Sequence, residues 1–275
     1  MLLFVMSSVI VVGQESYEKL LREYCSLTNS TSQLLDSVKS KALLQELNKM
    51  VLSGEDLKRA DQLAEEYLKT QFQDDLFHHV FMPMYQETVS EQDFRELVTL
   101  LKTKEGKQWN THNETTFQVM VFAMSFSAIS FMLNDDEKLE EEAIDSECPK
   151  SFQNLFDQYY ESSRNDQILN TTFQMMLPSV LEEKSVNKKG KEMIEKFLNY
   201  FKNNMKVMML NSAYKIMTED DLKFGINMFQ KPSYQKVIDA TMNGMTDKQK
   251  IGVAMVTAYV GWLHDEKGIT LKTEP

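Results

Sequence analysis

The chain has 275 residues and a formal net charge of −11, from 41 acidic and 30 basic side chains. A negative charge of this size disfavours binding to the phosphate backbone of nucleic acids or to an anionic membrane surface. Glycine and proline together number 14, about 5% of the chain against about 12% in average usage, which argues against collagen and turn-rich β-sandwiches or barrels. We therefore expect a protein of long α-helices that has no nucleic-acid partner.

Residues 1–13 have the length and composition of a signal peptide. They form an uncharged, mostly apolar run that is too short to cross a hydrocarbon layer of about 30 Å as a helix. Val11 and Gly13 supply small residues at positions −3 and −1 of a cleavage site before Gln14. No basic residue precedes the run, so a buried N-terminal helix is the alternative. The sequence predicts cleavage and export to the periplasm or the cell exterior.

The chain after Ser16 has the apolar spacing of amphipathic α-helices. Between residues 55 and 68 the apolar side chains recur at steps of three and four, which places them on one stripe. A kink or a helix end is expected near Pro83. Ser90 and Asp93 have the form of a capping box at the start of the next helix, and Gly106 offers a turn. The predicted fold class is all-α.

The helical pattern recurs further along the chain. At an offset of 128 residues, the segment 90–94 matches 218–222, and at an offset of 135 the segment 16–24 matches 151–159. The apolar residues that coincide at the first offset are Phe77, Val80 and Phe81 with Met205, Met208 and Met209. We predict two tandem helical-bundle repeats, residues 16–133 and 151–266, with a C-terminal tail at 267–275.

The segment 134–150 is predicted to be a linker between the repeats. Its first 14 residues contain eight acidic side chains and one lysine, so they carry −7 of the net charge of −11. Such a segment repels itself and stays hydrated. An EF-hand calcium loop would require a central glycine and alternating ligands, which the segment lacks.

Each predicted repeat closes on an apolar stretch. Residues 115–133 carry no charged side chain and are long enough for a membrane span, but serines interrupt them and no cationic residues flank them. The corresponding stretch 251–263 is too short to cross a bilayer. We therefore expect each stretch to form the centre of its own helical bundle, without membrane association.

The capped helices resemble a family of exported bacterial helical proteins named domain of unknown function 2059. The family pattern is a Thr-x-x-Glu helix start followed by an apolar helix that ends in Phe-Tyr-x-Ser-Pro-x-Gly. The first copy is similar at Ser90, Asp93 and Gly106 and lacks the aromatic pair and the proline. The resemblance implies an all-helical envelope or secreted protein and no known activity.

The second copy of the motif keeps features that the first copy lacks. Thr218 and Asp221 stand at the helix start, and Phe229 and Pro232 stand at its end, whereas the glycine is missing. Read physically, the motif is architectural: a hydroxyl caps a helix, an apolar pair ends it in the core, and proline or glycine turns the chain.

Four side chains offer a candidate metal site, although we expect a different role for them. Asp74 with His78, and Asp75 with His79, are spaced i,i+4 on neighbouring faces of one helix. Exposed carboxylate–imidazole pairs are the commoner outcome for this spacing. A metal-dependent or other hydrolase built on Asp75, His78 and His79 is the enzymatic alternative.

The sequence otherwise contains no motif of a known catalytic class. There is no HExxH, GxSxG, GxGxxG or P-loop pattern, and no cofactor is predicted. His112 stands in a polar stretch that reads as a loop, and His264 follows an apolar stretch and reads as a helix C-terminus. We expect a protein without catalytic residues.

The chain has two cysteines, Cys25 and Cys148. Their spacing does not fit a metal site. In an oxidising compartment they could pair and close a long loop, and two free thiols are the alternative.

Methionine is unusually frequent, with 19 residues. Flexible thioether side chains line surfaces that accept varied apolar partners, so a chaperone-like holder of exported chains is one hypothesis. Because Met205, Met208 and Met209 share the register of Phe77, Val80 and Phe81, core filling is favoured over an open groove. The function that the sequence favours is an exported helical protein that acts by binding or assembly, with a protein partner of unknown identity.

Overall fold

A computed structural model describes residues 17–28, 37–133, 143–168, 170–171, 187–246, 248–270 and 272. The predicted signal peptide and residues 134–142 of the predicted linker lie outside the described residues. Within the described part of the chain the structure contains helices and no strand, which confirms the all-α prediction.

The helices are numbered in chain order. The first, α1, covers 17–27. It is followed by α2 (Ser37–Val51), α3 (Gly54–Lys58), α4 (Ala60–Thr70), α5 (Phe72–Leu76), a π-helix (Phe77–Phe81), α6 (Met82–Gln86), α7 (Glu91–Leu101) and α8 (Lys104–Leu133). The later helices are α9 (Lys150–Ser162), α10 (Lys188–Ile216), α11 (Glu219–Phe229), α12 (Pro232–Thr246) and α13 (Lys248–Asp265).

The chain divides into two compact units. The terminal unit combines residues up to Val98 with those from Lys236 onward, and the central unit covers Thr99–Gln235. These limits cut across the predicted repeats at 16–133 and 151–266, and the duplication itself stays a prediction. The expectation that each repeat closes around its own apolar helix is wrong. The stretch 115–133 lies in α8 of the central unit, where α8 packs along α10 and α11.

The core of the terminal unit contains two aromatic clusters. Phe94 of α7 contacts the rings of Tyr17, Tyr24 and Tyr85 at centroid distances of 5.3–5.8 Å. In the second cluster α13 covers α4, because Tyr259 and Trp262 pack on Tyr67 at 4.8 and 5.3 Å. Apolar residues from α2, α4 and α13 and from the segments that follow α2 and α13 complete this cluster: Leu44, Leu52, Leu63, Ala64, Leu263 and Ile269.

The core of the central unit lies between α8, α9, α10 and α11. Methionines fill the part between α8 and α10, where Met120, Met205 and Met208 are buried together with Phe201. Their burial supports core filling at these positions, as the register of the apolar residues predicts. Near α11, Phe229 contacts Tyr159 and Trp109 at centroid distances of 5.0 and 5.7 Å.

His112 lies inside α8, so the prediction of a loop at this position is wrong. The polar stretch around it is helical, and its threonine hydroxyls donate to carbonyl groups one turn earlier in the same helix. Thr111 donates to Lys107 at 3.0 Å, Thr115 to Thr111 at 2.8 Å, and Thr116 to His112 at 2.8 Å. The low helix propensity of these side chains is offset by packing against α10 and α11.

The expected irregularity near Pro83 takes the form of a π-helix. Its five residues, Phe77–Phe81, directly precede α6, in which Pro83 is the second residue. Proline lacks the amide that an interior helical position would donate, and a wider turn before it accommodates this loss. The π-helix packs against α13.

The described end of the predicted linker is held against α10. Asn211 accepts a hydrogen bond from the Asp145 amide at 2.9 Å and donates to the Ala143 carbonyl at 2.9 Å. Tyr214 donates to the Glu147 carbonyl at 3.0 Å. Residues 143–147 therefore belong to the central unit, and the acidic composition of the segment gave no indication of this.

Cys25 and Cys148 are both free and buried, which is the second of the two alternatives that the sequence left open. Burial raises the pKa of the Cys25 thiol to about 12, and burial also raises the pKa of Cys148. Neither cysteine has the lowered pKa of a reactive thiol.

Within the described residues, none of the helices combines the length and the apolar character that crossing a bilayer requires.

Candidate functional site

A polar cluster at the start of α11 is the strongest candidate site of the molecule. Thr218 precedes α11 and its hydroxyl accepts a hydrogen bond from the Asp221 amide at 3.2 Å. In return, the Asp221 carboxylate accepts from the Thr218 amide at 2.7 Å and from its hydroxyl at 2.7 Å. This reciprocal pattern is a capping box, which confirms the role predicted for Thr218 and Asp221.

Two side chains of α8 complete the contacts of the Asp221 carboxylate. The Nδ1 atom of His112 lies 2.8 Å from one carboxylate oxygen, and the amide of Gln108 donates to the other at 3.3 Å. The side chain of Asp221 is 3% exposed, whereas that of His112 is 31% exposed. A buried carboxylate therefore links the first turn of α11 to α8.

Hydrogen bonds keep the Asp221 carboxyl ionised despite its burial. Burial by itself raises the pKa of Asp221, but the hydrogen bonds from Thr218 and His112 together outweigh it. The net result is a pKa below the usual range of an aspartic acid. The negative charge also lies at the N-terminus of α11, where the helix dipole is favourable to it.

Aromatic and amide groups extend the cluster along the joint between α8, α9 and α11. The Tyr159 hydroxyl donates to the Asn113 side chain at 2.6 Å. Burial raises the pKa of Tyr159 well above the usual range, so its phenol is a neutral donor. The α-carbon of Gly225 lies so close to these rings that a Cβ atom there would approach Tyr159 to 2.3 Å and Trp109 to 2.7 Å.

A second cap of the same type lies in the terminal unit. The Ser90 amide donates to the Asp93 carboxylate at 2.8 Å, and the Asp93 amide donates to the Ser90 hydroxyl at 3.2 Å. Here the third partner is Lys236 of α12, whose Nζ lies 2.9 Å from the carboxylate. Burial acts to raise the pKa of Asp93, but the hydrogen bonds from Ser90 and Lys236 lower it overall.

The other motif residues have architectural positions. Phe229 is buried at the last position of α11, and Pro232 is the first residue of α12, as the motif predicts. Gly106 differs from its prediction because it lies in the first turn of α8, and not in the turn before it. A Cβ atom at Gly106 would lie 2.2 Å from the Leu100 carbonyl oxygen, so the close approach of these two backbones requires glycine.

The four candidate metal ligands have other partners. Asp75 accepts a hydrogen bond from the Tyr67 hydroxyl at 2.7 Å, whereas Asp74 forms an ion pair with Arg22 at 3.1 Å. His78 also faces Arg22, with 3.2 Å between its Nε2 and the guanidinium, and His79 is exposed. The Arg22 guanidinium contacts Asp74 and His78 in place of a metal cation. No group of three or more side chains that could hold a metal occurs among the described residues.

Chemically, the cluster around Asp221 is suited to holding helices together. Its carboxylate orients the His112 imidazole, as a carboxylate does in a catalytic dyad. The adjacent hydroxyl belongs to Thr218. It donates a hydrogen bond to the Asp221 carboxylate and accepts one from the Asp221 amide. Its proton is donated to the Asp221 carboxylate and not to the imidazole, which would have to accept that proton to activate a nucleophile.

Sequence reasoning identified the capping residues and missed their partners. Ser90, Asp93, Thr218 and Asp221 were recognisable because a capping box is local. Gln108 and His112 lie 113 and 109 positions from Asp221, and no local pattern connects them to it.

Comparisons with known proteins add no relative to this picture. No protein-family model matches the chain, and neither the curated proteins nor the solved structures yield a match. The resemblance to domain of unknown function 2059 therefore stays a prediction.

Proposed function

We propose that this chain is an exported helical protein that acts by binding or assembly and has no catalytic residues. The observation that carries the proposal is that the hydrogen bonds of the Asp221 carboxylate are all made within the fold. This carboxylate is the most buried of the candidate acidic side chains, and capping and helix–helix hydrogen bonds occupy both of its oxygens.

The contacts of the remaining candidates give little support to the enzymatic alternative. A hydrolase built on Asp75, His78 and His79 requires these side chains to converge on one substrate. Asp75 is instead turned to Tyr67, and His78 is turned to Arg22. The chaperone alternative is weakened in a similar way, because Met205 and Met208 are buried in the core of the central unit.

Exposed apolar side chains on α8 support a role in binding. Val119 and Phe122 are 44% and 74% exposed, and they lie one helical turn apart. The opposite face of the same turn is occupied by Met120, which is buried against α10. Large exposed apolar side chains in a neighbouring pair are candidates for contact with a protein partner.

The test is in vivo crosslinking of the tagged full-length chain before lysis, with Phe122→Asp compared with the wild type. We expect one defined protein to be captured in stoichiometric amount by the wild type and lost with Phe122→Asp. Asn154→Asp, at an exposed position of α9 in the same unit, is the matched control and should retain the capture. Equal capture by all three forms, or capture by none, would count against binding through α8.

Export is tested separately from binding. The N-terminal mass of the protein isolated from the envelope or the medium should correspond to a chain that begins at Gln14. A chain recovered from the cytosol with residues 1–13 attached would contradict export and leave the binding result unaffected.

A further inference from the structure

Helices of the two halves of the chain have matching limits. The helix α7 covers Glu91–Leu101 and α11 covers Glu219–Phe229, so both limits differ by 128 positions. The start of α8 at Lys104 and the start of α12 at Pro232 differ by the same number. The start of α4 at Ala60 and the start of α10 at Lys188 do so as well.

Backbone hydrogen bonds at helix ends repeat with the same offsets. The Val89 amide donates to Tyr85 at 2.8 Å, and 128 positions later the Met217 amide donates to Ala213 at 2.7 Å. At the offset of 135, the hydrogen bond from Thr28 to Tyr24 is matched by one from Ser163 to Tyr159, each at 3.0 Å. Bonds of this type are common at helix ends, so the observation that bears on duplication is that these ends fall at corresponding positions of the two halves.

One surface contact recurs at corresponding positions of the two units. In the terminal unit, Arg22 of α1 lies 3.2 Å from His78. The positions that correspond to these two, at offsets of 135 and 128, are Asp157 and Lys206, which form an ion pair at 2.9 Å in the central unit. The same two places in the fold are thus in contact in both units, with the cation on the opposite helix.

The partners of the capping carboxylates come from the opposite half of the chain. Asp93, in the first half, is bound by Lys236 of α12 in the second half. Asp221, in the second half, is bound by Gln108 of α8 in the first half. Gln108 and Lys236 are themselves 128 positions apart, so the two contacts correspond to each other.

We infer that the chain contains two copies of one helical unit that have exchanged their last helices. The last helix of the first copy, α8, completes the central unit, and the last helices of the second copy, α12 and α13, complete the terminal unit. Each compact unit is therefore built from both halves of the chain, which also explains why the units cut across the predicted repeats. Exchange of an identical element between protomers is a known route to dimers. Here the exchange takes place between two copies within one chain.

Double-mutant cycles on the full-length chain distinguish exchanged from unexchanged helices. With Asp93→Asn and Lys236→Met, we expect the unfolding equilibrium constant in urea to show a coupling of about threefold to tenfold at low salt. The second cycle combines Asp221→Asn with Lys236→Met. Here we expect the two substitutions to change the unfolding equilibrium constant independently, with a coupling of less than about twofold. Unexchanged copies would give the reverse result, because Lys236 would then lie beside the cap of its own copy.

A second readout does not depend on the size of the coupling. The Asp93 carboxyl should titrate at higher pH in the Lys236→Met variant, and the Asp221 carboxyl should not move, as followed by NMR. A shift at Asp221, or coupling of Lys236 to Asp221 in the cycles, would overturn the exchange. An unchanged titration of Asp93 would also overturn it.

Discussion

At the scale of single residues, the stability of the central unit depends on the charge of Asp221. Replacing it by asparagine keeps the shape of the side chain and removes the charge that accepts hydrogen bonds from Thr218, His112 and Gln108. We expect Asp221→Asn to lower the free energy of unfolding at pH 7 by about 1.5–3 kcal/mol, measured by urea denaturation.

The stability that Asp221 contributes should depend on pH. The folded-state pKa of Asp221 is lowered, so its contribution to stability is fully present above the ordinary aspartate pKa of about 3.9. It is lost as the pH falls through the folded-state pKa. The difference between wild type and variant should therefore shrink with acidification. Asp220→Asn, at a position whose side chain is 93% exposed, is the control and should cost at most about 0.5 kcal/mol.

The two cysteines give a prediction about reactivity. Because Cys25 and Cys148 are buried, free and of raised pKa, a thiol reagent should react with them slowly in the native protein. In guanidinium chloride without a reductant, two thiols per chain should react. A chain that shows no reactive thiol in the denaturant would indicate a disulfide and contradict the structure.

Residue roles with a local signature could be predicted from the sequence, and roles that depend on distant partners could not. The capping pairs and Pro232 act within three or four positions of each other or at a helix start, where rules of helix geometry apply. Asp74 and His78 satisfied a spacing rule for metal ligands, yet Arg22, more than 50 positions earlier, determines what they contact.

At the scale of helices, the packing of α11 depends on Gly225. A Cβ atom at this position would overlap the rings of Tyr159 and Trp109, and both rings are buried. We expect Gly225→Ala to lower the free energy of unfolding by about 1–3 kcal/mol in urea denaturation, because α11 must shift away from α8 and α9.

The matched control is a glycine on a helix with free space around it. Gly261 lies in α13, and no atom would lie within 4 Å of a Cβ there. Gly261→Ala should leave stability unchanged or raise it by up to about 1 kcal/mol, since alanine is the better helix former. An equal loss in both variants would show that Gly225 has no special packing role.

The existence of the helices followed from periodicity, and their lengths did not. The polar stretch around His112 suggested a loop, because threonine and asparagine favour turns. In the structure, packing on α10 and α11 makes the stretch part of a helix of 30 residues. Likewise, the acidic composition of 134–147 indicated a linker, although Asn211 and Tyr214 bind the backbone of residues 143–147 at its described end.

At the scale of the whole molecule, the sequence indicated similar halves but not which helices pack together. A repeat in the sequence shows the order of the helices. It does not show whether the helices of one copy pack against each other or against helices of the other copy. The contacts that decide the question, such as that between Lys236 and Asp93, join residues 143 positions apart. They have no local pattern in the sequence.

The exchange of helices predicts how a cleaved chain behaves. A protease site inserted within 134–142 allows the chain to be cut into two fragments after folding. Because each compact unit contains parts of both fragments, we expect the fragments to elute together in native size-exclusion chromatography and to separate only in denaturant. Fragments that separate under native conditions would indicate two self-contained repeats.

The most direct test of the exchange uses the two tryptophans, because each lies in a different unit. Trp109, from the first half, contacts Phe224 and Phe229, and Trp262, from the second half, contacts Tyr67. The measurement is a nuclear Overhauser spectrum of the indole protons, assigned with Trp262→Phe. We predict cross-peaks from Trp109 to the rings of Phe224 and Phe229, and from Trp262 to Tyr67. Cross-peaks that connect each tryptophan only to residues of its own half would contradict the account.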